Sequence, residues 1–358
     1  MQKYHFLANY PNLLCLICIF AVRMAKQRIA YIDAMRGFTM ILVVFAHVCH
    51  FCLGDSRMGY NTVFILFRLP CFFMLSGWLF EPVALRPFAT IARHKFMVQL
   101  VPTFIFLLLL APPPLFFHQL GALKGGYWFT FVLFEFFILY MLSVRLGRRW
   151  SLVVALAVSV GSFCYARYYS GIQSSAVGML ASVVDILGFL SVALWRFFLF
   201  FFIGAWIRRH FDAFIRWTDK PVVFMAMTVV FIIVAASPHM PDMWYEMVRF
   251  YVGGISGMGM VFTCFRLAFS WLKRLRLAEP LQYVGTRTLD IYLLHYFFLP
   301  RFLMAYADRL QAFDSRFVEF LVIMGLSLVV LALSLLASYI IRLSPFLGHY
   351  LFGVKYEK

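Results

Sequence analysis

Runs of predominantly apolar residues recur along this chain, separated by short stretches in which Lys, Arg, Gly and Pro collect. A bilayer core roughly 30 Å thick needs about 20 residues of helix to cross it. It offers no water to an unpaired backbone, so each crossing segment must bond to itself. The pattern predicts ten crossing helices, at 30–53, 61–80, 97–117, 127–146, 150–166, 182–207, 221–237, 246–268, 281–303 and 318–342. The strict apolar–polar alternation of a transmembrane β-barrel is missing. The expected fold class is an all-α polytopic integral membrane protein with about ten transmembrane helices.

Composition changes this picture only by strengthening it. Of 358 residues, 64% are hydrophobic, 20% aromatic and 13% charged, against about 25% charged in a soluble domain. The net charge of +17 would suggest nucleic acid in a soluble protein. Here the positions of the basic residues explain it. Lys3, Arg23, Lys26 and Arg28, the stretch Arg86–Lys95, the Arg145–Arg149 turn, Arg208–Lys220, Arg266–Arg287 and the C-terminal cations all fall on one side of a ten-helix frame. Loops rich in Lys and Arg stay in the cytoplasm, so both termini are expected inside, with lipid and not nucleic acid as the partner.

The domain reading is a cytoplasmic segment at 1–28, a transmembrane domain at 29–345 and a cytoplasmic tail at 346–358. Leu13 to Val22 is apolar but too short to cross, and translation from Met24 is the favoured reading of this region. Cys15 and Cys18, like Cys49 and Cys52, have no second pair at metal-ligand spacing. They read as small core or lipid-facing residues, and no metal is expected.

Candidate chemistry comes from polar residues within the spans, because an ionisable side chain inside lipid costs roughly 2.5–3.5 kcal/mol on insertion scales. The first span holds Asp33, Arg36 and His47. Eleven residues turn a helix through just over three full circles and advance it about 16 Å. Arg36 and His47 therefore share one face, a basic group near the cytosol and an imidazole deep in the bilayer. The second span carries Arg68, at a depth comparable with His47, and Ser76-Gly77. Glu135 and Arg196 sit near mid-bilayer, where they read as a buried structural pair. Asp290, Tyr292 and His295 lie on the ninth span, and His295 is deep enough to face His47.

These residues resemble a known family. Tyr31-Ile32-Asp33-Ala34-Met35-Arg36-Gly37, with His47 eleven residues after Arg36, is similar to the opening of the acyltransferase-3 membrane proteins. Phe67 to Phe80, with Pro70, Phe72, Phe73, Ser76 and Gly77, resembles their second helix. Arg93-His94-Lys95 with Pro102 looks like their basic motif entering the third helix, with Lys95 where a second Arg is usual. Trp128-Phe129 and Phe198–Gly204 resemble the fourth and sixth helices, and Gly285–His295 the segment ending in Ile-Tyr-Leu-Leu-His. Cys71 stands where Leu is usual. The resemblance runs from about 28 to 345 and implies a stand-alone member without the fused hydrolase-like domain that some relatives carry.

What the resemblance implies is O-acylation of a carbohydrate in the cytoplasmic (inner) membrane of a bacterium, with acetyl coenzyme A or another acyl-CoA as donor. Succinyl would fit as well as acetyl. The acceptor would be a cell-envelope or exported glycan, with glycan-biosynthesis proteins as partners. His47 would take the acceptor's proton or carry the acyl group itself. Arg68 would stabilise the oxyanion or position the acceptor. Arg36, Arg93 and Lys95 would hold the donor's phosphates, with Asp33, Ser76, Glu135, Arg196, Asp290, Tyr292 and His295 binding substrate or supporting the site. Two other classes stay open. A secondary transporter would use buried Arg and His to bind an anion or relay protons, though no pair of interrupted helices is evident in the two halves. A scaffold subunit would not need His47.

Overall fold

A computed structural model describes residues 29–54, 59–110, 124–175, 179–306 and 315–353. The segment before Ile29, with Met24, Cys15 and Cys18, lies outside the described residues. The chain is all helical among them. Helix α1 is Ala30–Leu53 and α2 is Gly59–Phe80. Helix α3, Phe88–Lys95, runs through a π turn at Phe96–Leu100 into α4, Val101–Leu110. Then come α5, Trp128–Leu146, and α6, Arg148–Ser175. Helix α7, Met179–Phe189, leads through a 3-10 turn at Val192–Phe197 into α8, Phe198–Arg209. Helices α9, Phe211–Thr218, α10, Pro221–Ala236, and α11, Met243–Arg274, come next. The chain continues with α12, Ala278–Thr286, α13, Thr288–Phe298, α14, Arg316–Arg342, and α15, Pro345–Phe352.

Seven helical stretches among the described residues are long and apolar enough to cross a membrane. Two bent pairs, 182–209 and 211–236, bring the number to nine if each is one span. The protein is a multi-pass membrane protein. The predicted ninth span at 281–303 departs from expectation: it is α12 and α13, interrupted at Arg287, and neither half is long enough to cross alone. The 182–207 span is likewise bent by 45° where Ser191 takes a left-handed φ of 53°. Outer faces are apolar, as lipid demands: Val222 is 70% exposed and Ile233 63%, surfaces that water would not tolerate at this density.

The interior is aromatic. Phe73 packs against Trp128, Phe129, Phe136 and Phe197, and Phe80 stacks on Phe137. Two crossings bring backbones into direct contact. At Gly37 on α1 a Cβ would fall under 3.0 Å from the Leu281 carbonyl, and at Gly285 on α12 from the Asp33 carbonyl. Gly77 on α2 and Gly204 on α8 meet in the same reciprocal way, against Phe201 and Met74. Without an apolar driving force between helices in lipid, such small residues are what lets them pack closely.

Candidate active site

The crossing at Gly37 and Gly285 decides what α1 can touch. It seats the first turns of α1 against α12, and the chain resumes as α13 one residue after the break at Arg287. Arg36 then donates from Nη2 to Thr288 Oγ1 at 2.9 Å, and lies 3.5 Å from Asp33 Oδ1. His47 meets His295. The two α13 partners are seven residues apart, nearly two whole turns. The shared face read from the spacing of Arg36 and His47 is therefore the face that α1 turns toward α13.

The hydrogen bonds fix which nitrogen carries each proton. His295 Nδ1 is 3.0 Å from the Ile291 carbonyl, which can only accept, so Nδ1 is the donor. In a neutral ring Nε2 is then an acceptor. His47 Nδ1 lies 2.6 Å from that Nε2 with the two rings nearly parallel, so it must donate. His47 Nε2 is left as an unprotonated nitrogen. Tyr296 Oη stands 3.4 Å from it, while donating its own proton to the Gly126 carbonyl at 3.0 Å. His295 is wholly buried behind the half-buried His47. A ring held in one tautomer by a second group is the arrangement of a general base.

His47 lines a cavity of about 820 Å³. Its wall includes Arg68, Lys124, Tyr292, Tyr296 and Arg301. Arg68, 6% exposed, donates to Asn61 Oδ1 at 2.9 Å and to the Leu42 carbonyl at 3.4 Å. Tyr292 accepts from the Phe129 amide and donates to the Gly126 carbonyl. Tyr127 donates to the Leu293 carbonyl at 2.7 Å, tying the turn before α5 to α13.

The remaining predicted residues are dispersed. Arg36 lies one turn beyond Met40, the nearest wall residue of α1. Lys95 rests its ammonium on the Phe137 ring, 4.4 Å from the centroid, close enough to Arg36 for their charges to repel. Arg93 is exposed. Ser76, among the described residues, donates only to the Phe72 carbonyl of its own helix. Glu135 and Arg196 correct the expected pair: among the described residues they form no ion pair. Glu135 accepts from Trp195 Nε1 at 2.7 Å, and Arg196 stacks on Phe197 and Phe250.

Asp290 is a fastening of the fold. It takes a two-pronged bond from Arg342 at 2.7 and 2.9 Å, a hydroxyl from Ser338, and the charge of Arg287 at 3.7 Å. This clamps α13 to α14. Asp290→Asn strands two guanidinium groups and is expected to cost about 3 kcal/mol, the low end for a broken buried pair because Arg342 is partly exposed. A thermal melt of the detergent-solubilised variant reads it, and an unshifted melt would make the clamp incidental.

Sequence reasoning missed Tyr296, Lys124, Asn61 and Arg301 as site residues. Tyr296 had a signal, as the neighbour of His295. Lys124 and Arg301 fall near the ends of apolar runs, where cations ordinarily anchor to headgroups.

A family model described as an acyltransferase domain, Acyl_transf_3, matches residues 29–341. The searches of curated proteins and of solved structures returned no match.

Proposed function

We propose, because this chain belongs to the acyltransferase-3 family, that it moves a short acyl group, acetyl or succinyl, from a coenzyme A thioester to a carbohydrate hydroxyl at the His47–His295 pair. The observation that carries the reading is the oriented relay from the Ile291 carbonyl through His295 to the bare Nε2 of His47. An alcohol is a weak nucleophile at neutral pH and needs its proton removed as it attacks. The acceptor oxygen bonds to the thioester carbon while its proton passes to His47 Nε2. The carbon–sulfur bond then breaks, and the same proton goes to the departing sulfur, leaving ester and free thiol. Arg68, on the wall beside His47, suits the negative charge that gathers on the carbonyl oxygen between these steps.

Arg36, beside Asp33, and Lys95, close enough to Arg36 to feel its charge, suit the donor's phosphates, with Arg93 at the exposed edge. Arg36 and His47 are about 16 Å apart along α1, a span for the extended pantetheine arm. The acceptor class, an envelope or exported glycan, and residence in a bacterial inner membrane belong to this proposal. A transporter reading draws on the helix breaks at 190–191 and at Arg287, since interrupted helices mark many transporter sites. It gives no task to an oriented base.

Purified protein mixed with labelled acetyl or succinyl coenzyme A and bacterial envelope glycan separates the two. Acceptor-dependent release of free thiol is expected, and its absence with both donors would remove the transferase reading. Arg36→Ala is expected to raise the KM for the donor roughly tenfold or more, the worth of a lost charged hydrogen bond. Unchanged donor affinity would take Arg36 out of the phosphate site.

A further inference from the structure

The cavity holds more positive charge than proton transfer needs. Its wall carries Arg68 from α2, Lys124 from the turn before α5, and Arg301 from the turn after α13. No Asp or Glu stands among the wall residues described. Lys124 has an electrostatic counterpart in Glu135 and spends its ammonium on the Phe189 carbonyl and Ser191 Oγ. The other two differ. Arg68 is buried with two uncharged acceptors, Asn61 Oδ1 and the Leu42 carbonyl. Arg301 is exposed, and its guanidinium lies over the Phe51 ring at 5.5 Å.

A guanidinium buried beside neutral oxygens is costly, because such partners accept from its N–H groups, here both from Nη1, and bring no opposite charge among the described residues. A bound anion would compensate it. The guanidinium fork also matches a phosphate or carboxylate in geometry. We propose that the cavity binds an anionic oxygen group, phosphate or carboxylate, on the wall shared by Arg68 and Arg301, beside His47. The proposal builds on the acyl-transfer reading and narrows its substrate. The charge has two sources. It belongs to the acceptor, as a sugar phosphate or uronic acid, or to the acyl group, as the free carboxylate of a succinyl-type donor. A neutral sugar receiving acetyl fills neither role.

The experiment has one arm for each source and reads binding separately from turnover. Titration calorimetry of the purified, full-length protein compares glucose 1-phosphate and glucuronate with glucose, and succinyl with acetyl coenzyme A. Thioester consumption is measured in parallel. On one arm the charged probe is expected to bind roughly tenfold or more tightly than its neutral counterpart. Arg301→Glu is expected to erase or reverse that preference, and its exposed position keeps the comparison clear of folding failure. Arg68→Lys should retain more of the preference than Arg68→Gln. Should the Arg68 variants fail to elute as folded protein, the Arg301 comparison carries the test alone.

Charged and neutral probes binding within about twofold of each other on both arms would overturn the proposal. So would a preference that Arg301→Glu leaves intact. Acetyl transfer to glucose without any preference for charge would preserve the transferase reading and sink the anion site. Arg301-dependent binding of glucose 1-phosphate or glucuronate without thioester consumption would do the reverse.

Discussion

His47→Ala is expected to lower acyl transfer by roughly 10²–10⁴-fold, the range general-base catalysis supplies, while the protein still elutes as a folded species. The side chain is half-buried and faces a cavity, so its loss enlarges an existing space and leaves the packed interior alone. His295→Ala is expected to slow transfer less, because it frees the His47 ring to turn without removing it. His295→Gln should recover part of that loss, since an amide oxygen can still accept from His47 Nδ1–H. The double variant should be about as slow as His47→Ala alone, because the second ring acts only through the first. Initial rates of thiol release measure all four. Full activity in His47→Ala would end the mechanism. Losses that multiply in the double variant would give His295 a separate task.

The largest structural effect is expected at Gly37. A methyl group there meets the Leu281 carbonyl, and backbone cannot swing aside as a side chain can. Gly37→Ala and Gly285→Ala should each destabilise the protein by about 3 kcal/mol, the upper range for overpacking. They should lower transfer too, since this crossing seats Arg36 and His47 against α13. Gly161 and Gly325 provide the internal comparison. Both are helical, and a Cβ at either would meet nothing within 4 Å. Alanine there should be neutral or stabilising by up to about 1 kcal/mol through helix propensity. Melting temperatures in one detergent, read side by side, decide it. Equal behaviour of all four would mean that the crossing bears no close contact.

Most of the helices were legible because lipid imposes a length and a polarity on each of them. The stretch 30–53 coincides with α1, and 127–146 and 318–342 fall within two residues of α5 and α14. The interruptions were not legible. An apolar run reads the same whether the helix is straight or broken, and at Arg287 the break rests on a single residue. The same limit separates the two pairings offered for buried charges. For Arg36 and His47, spacing along one helix gave a common face, and rotation per residue suffices for that. For Glu135 and Arg196, similar depth was the whole argument, and depth says nothing of direction around a helix. Trp195, one residue away, takes the contact instead. That His295 answers His47 depends on the glycine crossing, a tertiary fact.

The π turn at Phe96–Leu100 holds one residue more than regular winding needs, and π turns of this kind are seldom kept without cause. It sits directly after Arg93, His94 and Lys95. Its five residues turn the chain about as far as four residues of ordinary α winding. Deleting one of them would therefore give a regular helix in which α3 still faces as it does now, with Lys95 over Phe137. Rewinding the same residues as plain α-helix would instead swing α3 by about 100°, carrying Lys95 away from Phe137 and from Arg36. The wide turn is thus what aims the basic motif at the present chain length, and a substitution that tightened it would cost the motif its bearing while leaving its spelling intact.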